Sequence, residues 1–246
     1  MTAKGALLFG RYAFPPNQLG YCGPPDHQAL LDHVAQGAPD NGLVELERRF
    51  EGAYPYLQLI ATANSIADPF DERVVDAYWI GNRLLNKVQS GGFHDSLNER
   101  FGSRMDSRSF HWLTTKVTQG ARPHHNFHVF DVYVRAGLMN DERAPIALGL
   151  MDSCRVSWGT VAAIEGDELV VERKALDLVA GKLALAEPRP ARITRQHGGQ
   201  GFVAGAAVGD TVSIHWNWAC DVLTSSALGR LQRATERCLE LSNQTI

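Results

Sequence analysis

Apolar positions recur at helical spacing through the first half of the chain and at strand spacing through its last third. Phe70, Val74, Ala77, Tyr78, Leu84, Leu85 and Val88 share one helical face, so the pattern predicts a helix with a buried stripe. Asp68-Pro69 supplies its start, with Asp as N-cap, Pro at the first helical position and Asp71 and Glu72 in the first turn; Gly91-Gly92 supplies its end. Other helices are expected over residues 3–14, stopped by Pro15-Pro16, from Pro24 or Pro25 to Val34, over Leu43–Phe50, and near 94–101 and 108–117. From about Ala144 the period falls to two. Residues 155–161 and 168–172 read as strands around the turn Glu165-Gly166-Asp167, followed by strands at 182–185, 191–194, 201–204 and 211–218. Thr224 then caps a closing helix with Leu228, Leu231, Thr235, Cys238 and Leu239 on one face. The fold class is therefore α+β: an α-helical domain over residues 1–143, then a small OB-like β-barrel with a C-terminal helix over 144–246.

Composition narrows the classes of partner. The formal net charge is -3 and the basic residues are scattered along the chain, which gives no footprint for nucleic acid. No apolar run reaches the ~18–20 residues that cross a bilayer, and the N-terminus meets Arg11 and Pro15-Pro16 too soon for a signal peptide, so neither membrane nor export is expected. The four cysteines, Cys22, Cys154, Cys220 and Cys238, form no CxxC pair; reduced thiols in the cytoplasm fit better than a disulfide framework.

The densest local chemistry is His124-His125-Asn126-Phe127-His128, with Asp131 three residues on. On a helix His124, His128 and Asp131 fall near one face; on a strand His124, Asn126 and His128 share one face and His125 the other. Neutral imidazoles and a carboxylate could hold a divalent metal or do acid–base work near neutrality, so His124, His125, His128 and Asp131 form one candidate enzyme site. The competing reading is a hydrogen-bonded linker, and the Glu of a zinc-protease HExxH helix is missing. Asp68, Asp71 and Glu72 read as a charged helix start, and Tyr54, Tyr56, Tyr78, Trp79 and Trp112 as core. Trp216 and Trp218 alternate with Asn217 and should face one side, to cover His215 or fill a core; Cys22, beside Gly20 and Gly23, is a loop cysteine or a reactive thiol.

A resemblance supplies the other candidate. Cys154-Arg155-Val156-Ser157-Trp158-Gly159-Thr160-Val161, then Ile164-Glu165-Gly166-Asp167, and later Val208-Gly209-Asp210-Thr211-Val212-Ser213-Ile214-His215, resemble the HypC-type hydrogenase-maturation chaperones. Trp158 stands where that family has proline, Asn217-Trp218 where it has Gly-Phe, and Cys154 follows a whole domain instead of beginning the chain. The resemblance covers the last third of the chain and implies an accessory protein of nickel–iron hydrogenase maturation, with Cys154 and His215 holding iron and the hydrogenase large subunit or other maturation proteins as partners. Thiolate and imidazole are suitable ligands for such a fragment. Leu7–Pro16, Phe50–Tyr56 and Pro123–Phe130 are similar to an uncharacterised bacterial family linked to hydrogenase genes, which spans the whole chain. If Cys154 and His215 ligate one metal, their strands must be neighbours, and Cys154 is expected partly exposed at the domain junction, within reach of the histidine cluster.

Overall fold

The computed structural model describes residues 3–37, 40–132 and 144–246, and it is a mixed α+β structure with ten helices among those residues. Helix α1 (Ala3–Gln18) is the central member of the helical half. It buries Phe9, Tyr12, Ala13 and Phe14 and packs on α2 (His27–Gln36), α3 (Asn41–Arg48) and α5 (Glu72–Trp79). Gly5 permits the approach to the last of these: a Cβ there would lie 1.8 Å from the Phe70 carbonyl oxygen. Pro15-Pro16 does not stop α1, which continues to Gln18. Its end is held from outside, because Phe14 packs edge-on to Trp218 and the Asn17 amide donates to the carbonyls of Cys22 and Pro24. Helices α4 (Tyr54–Ala63), α6 (Ser90–Phe101) and α7 (Ser107–Thr118) complete this half.

The helix expected from Asp68 onward is two elements. Asp68 caps a turn at Phe70, and the true N-cap of α5 is Asp71, whose carboxylate accepts from Arg73 N. Helix α5 ends at Trp79 and Ile80, Gly81 takes φ +89°, and a 3₁₀ turn (Arg83–Lys87) follows. Gly91-Gly92 lies inside α6 rather than ending a helix. The histidine segment is helical, a short α8 (His125–Phe127) running into a π-helical turn over His128–Val132. The boundary expected at residue 143 falls in 133–143, outside the described residues. Where strands were expected directly, helix α9 (Ala144–Cys154) comes first.

Nine strands follow: β1 (Ser157–Glu165), β2 (Glu168–Arg173), β3 (Leu176–Val179), β4 (Lys182–Leu185), β5 (Arg189–Thr194), β6 (Gln196–His197), β7 (Gln200–Gly201), β8 (Thr211–His215) and β9 (Trp218–Val222). Five pair in the order β1-β2-β5-β9-β8, and the circuit closes because β8 also pairs with β1, Ser157 opposite Ile214. Alternate residues point inward. Val161, Leu169, Val171, Ile193, Val212, Ile214 and Ala219 fill the interior. The pairs β3-β4 and β6-β7 stand outside the circuit as separate hairpins. The expected strand 211–218 is interrupted by a two-residue turn, Trp216-Asn217, with φ of +46° and +64°. Helix α10 (Ser225–Ser242) closes the chain with Thr224 as N-cap, accepting from Ala227 N, and buries Leu231, Thr235, Cys238 and Leu239. The larger apolar core is continuous from Phe9 and Tyr56 in the helical half to Trp216, Trp218 and Leu231. No helix among the described residues is long and apolar enough to cross a membrane.

Candidate metal centre at the junction of helices and strands

Three short connections bring one site together. The last turn of α9 is pinned: the Asp152 carboxylate accepts from Arg155 Nε, Arg173 Nη2 and Leu176 N, and Arg155 Nη2 donates to the Lys174 carbonyl. Arg155 is fully buried, and burial pulls its guanidinium down to about 10 against the support of Asp152. The β8–β9 turn is tied to the same helix end, because Trp216 N donates to the Ser153 carbonyl at 2.8 Å. The α8 turn is tied there too, through Val156 N to Asn126 Oδ1 at 2.9 Å. Asn126 Nδ2 also donates to Thr235 Oγ1 on α10.

These ties place His125, Cys154 and His215 side by side. One ligand atom from each lies within 4.8 Å of the other two, and all three residues are buried. The His125 Nε2 to Cys154 Sγ distance is 3.9 Å, and the two imidazole rings lie 5.0 Å apart at 85°. Trp79 walls the group, with its ring 4.6 Å from His125 and 5.4 Å from His215.

Backbone carbonyls set the tautomers, since a carbonyl can only accept. His215 Nδ1 lies 2.7 Å from the Tyr12 carbonyl and so carries the proton. Its Nε2 therefore presents a lone pair, buried and without a hydrogen bond of acceptable geometry, although the Cys154 carbonyl is near enough to favour the protonated ring. That is the arrangement of a metal-binding histidine, whose second nitrogen donates to a backbone carbonyl and fixes the ring. His125 Nε2 lies 2.7 Å from the Cys154 carbonyl and donates to it, while Nδ1 accepts from the Tyr78 hydroxyl at 3.1 Å. Exchange of the His125 tautomer, with Tyr78 becoming the acceptor, would free Nε2 as a ligand.

Electrostatics agree with neutral donors. Burial holds His215 down to about 4 and, with help from His215, lowers His125 well below its ordinary value, so both rings are neutral at pH 7. Burial pushes the Cys154 thiol up to about 12, so a metal must displace its proton. Tetrahedral ligation at ordinary metal–sulfur and metal–nitrogen distances separates the ligand atoms by about 3.5 Å. The present spacing needs a contraction of about 1 Å to reach it, and the donor set fits a soft or borderline transition metal.

The expected strand adjacency is present, β1 beside β8, but Cys154 ends a helix and does not begin a strand. It sits at the junction, near the histidine cluster as expected, yet it is 8% exposed instead of open to solvent. The second candidate set disperses. Of His124, His125, His128 and Asp131, only His125 faces Cys154: His124 Nδ1 accepts from Asn126 N, His128 Nδ1 pairs with the Tyr56 hydroxyl, and Asp131 forms a buried ion pair with Lys116. Burial and then Arg100 hold His128 down to about 3. The helical turn is the reason, since successive residues point about 100° apart around it.

Cys22, Tyr78 and Trp216 line the small cavity of about 50 Å³ beside the three donors. Cys22 reaches it because Asn17 holds the loop, and burial pushes its thiol up to about 12. Trp216 stacks on Tyr21 at 4.2 Å over the site, while Trp218 points elsewhere, against Phe14 and Phe202. Gly52 and His128 border both this cavity and a wider external groove formed by α4 and α6.

Fold and site define an α+β protein with a buried Cys-His-His cluster where its helices meet its strands. The chain belongs to the Family of unknown function (DUF6390), whose pattern matches residues 1–246. No curated protein matches it, and no solved structure does.

Proposed function

We propose that this protein is an accessory of nickel–iron hydrogenase maturation that holds an iron fragment through Cys154 and His215, with His125 as third ligand. One observation carries the reading: the cysteine and histidine of the HypC-like motifs, 61 positions apart in sequence, converge with His125 to within 4.8 Å. On this reading the closed strand circuit is an OB-like barrel that supplies His215, helix α9 leading into it supplies Cys154, and residues 1–143 are a helical domain that adds His125 and walls of the cavity. The protein works in the cytoplasm, as a carrier and not a turnover enzyme, with the hydrogenase large subunit or another maturation protein as recipient. His215, fixed in one tautomer, is ready to ligate; Cys154 binds as thiolate and releases a proton, so iron is held more tightly as pH rises.

The test has two parts. Untagged protein loaded anaerobically with iron(II) should hold one metal per chain, lost in Cys154→Ser and His215→Ala and kept in His124→Ala. A strain lacking the protein should accumulate unprocessed hydrogenase large subunit. A normally metallated large subunit in that strain ends the hydrogenase reading, and metal retained in Cys154→Ser ends the ligand assignment.

A further inference from the structure

Arginines that are dispersed in sequence meet at one pocket that shares no lining residue with the cavity of the Cys-His-His cluster. Arg83, Arg122, Arg230, Arg233 and Arg237 border a cleft of about 360 Å³ that has no acidic residue in its lining. Three elements contribute them: the 3₁₀ turn after Gly81, the segment leading into α8, and one face of α10, where 230, 233 and 237 follow at i, i+3 and i+7. A chain of net charge -3 has no general reason to gather five guanidinium groups there.

Two of the five are already engaged. Arg230 pairs with Asp76 and donates to the Gly81 carbonyl, and Arg237 pairs with Glu240 and donates to the Gln119 carbonyl. Arg83 and Arg233 make no ion pair or side-chain hydrogen bond among the described residues, and Arg122 reaches only its neighbouring Ala121 carbonyl, at 3.4 Å. The cleft therefore holds about three unneutralised positive charges, against about −1.5 to −2 on one phosphate group.

The floor of the cleft adds an independent sign of a ligand. His124 lines it and is 2% exposed. Its Nδ1 accepts from Asn126 N, so the proton sits on Nε2. That N–H has no hydrogen bond of acceptable geometry, although the Ile80 carbonyl is near enough to favour the protonated ring. A buried donor left in this way costs stability unless something accepts from it. Leu85, Ala234 and Leu241 give the cleft an apolar side as well.

We propose that this cleft binds a small phosphorylated molecule carrying two or more phosphate groups, with its oxygens on Arg83, Arg122 and Arg233 and on the His124 Nε2–H. Donors arrive from the 3₁₀ turn, from the α8 approach and from α10, and a tetrahedral phosphate accepts all round, where a planar carboxylate accepts in one plane. Guanidinium forks suit that geometry. The cleft is within the usual size of a small-molecule site. This inference stands on residues apart from the metal cluster and does not depend on its role.

The test is calorimetric titration of the full chain with pyrophosphate at constant ionic strength, with citrate as a carboxylate of similar charge. Pyrophosphate should bind one per chain, more tightly than citrate. Binding should weaken at least about tenfold in Arg233→Ala and in Arg83→Ala, each exposed enough to be removed without loss of fold, and stay unchanged in Arg104→Ala, which lines the separate groove at α4 and α6. No saturable heat at millimolar pyrophosphate, binding unaffected by both arginine variants, or citrate binding as tightly would each overturn the assignment.

Discussion

Burial does more to the histidines than any neighbouring charge. Desolvation leads in holding His124 down to about 4, His128 to about 3 and His215 to about 4. In an unfolded chain each would titrate near 6.5, so between about pH 6.5 and about 4 the unfolded state binds more protons. Stability that is fully present above about pH 6.5 is lost as pH falls through that window, by about 1.4 kcal/mol per pH unit for each group. The urea midpoint of metal-free protein should therefore fall steeply on acidification. His128→Gln, which keeps a partner for the Tyr56 hydroxyl, should reduce that slope by about one proton; an equal slope in wild type and variant would contradict the assignment. At this scale short motifs singled out Cys154 and His215, which the fold brings together. Sequence pattern could not choose among the three histidines of 124–128, because their directions differ between helix and strand. Cys22 and the arginines of the cleft carry no local motif, since loops and helices far apart in the chain assemble them.

The two-residue turn between β8 and β9 is the element on which the site depends. His215 pairs with Trp218 across it, and Trp216 N holds the end of α9, so one turn places both the imidazole and Cys154. Both turn residues are left-handed, and neither is glycine. Asparagine tolerates that region well; a β-branched side chain does not. Asn217→Gly should be neutral or stabilising by up to about 1 kcal/mol, and Asn217→Val should cost about 1–2 kcal/mol in chemical denaturation. The valine variant should also lose metal affinity, because strain in the turn is passed to His215. A valine variant as stable as the parent would show that the turn is not under this constraint. The turn was missed from sequence because Trp-Asn lacks the Asn-Gly signal of a tight hairpin, and the period-two pattern runs through it. Proline and glycine misled at Pro15-Pro16 and Gly91-Gly92 for a related reason: contacts from Phe14 and Asn17, and the packing of Phe93 and Leu97, outweigh local preference. The apolar run of α9 has no polar alternation to mark it as helix or strand.

The whole molecule folds around a core that does not respect the expected division at residue 143. The strand circuit encloses nine buried apolar residues of its own, whereas Trp216, Trp218, Cys220, Leu231, Cys238 and Leu241 belong to the core of the helical half. Tyr12 on α1 donates to or accepts from Ser213 Oγ on β8 at 2.7 Å, and Arg230 on α10 reaches Asp76 on α5. A piece cut at the expected boundary would expose those aromatic faces and a buried hydroxyl partner together, and about 25 cal/mol per Å² of apolar surface would be forfeited. Residues 144–246 alone should therefore fail to give a dispersed amide spectrum, and the full chain should unfold in one transition by both fluorescence and circular dichroism. The Cys-His-His cluster sharpens this expectation, because His125 comes from one half and Cys154 and His215 from the other. A metal that binds only the folded state at about one hundred times its Kd adds about 2.7 kcal/mol. With zinc(II) as probe, that gain should move the single transition as a whole, and Cys154→Ser should abolish the shift without splitting the curve. Two separate transitions, only one of them moved by metal, would show that the halves fold independently and that the cluster is not shared between them.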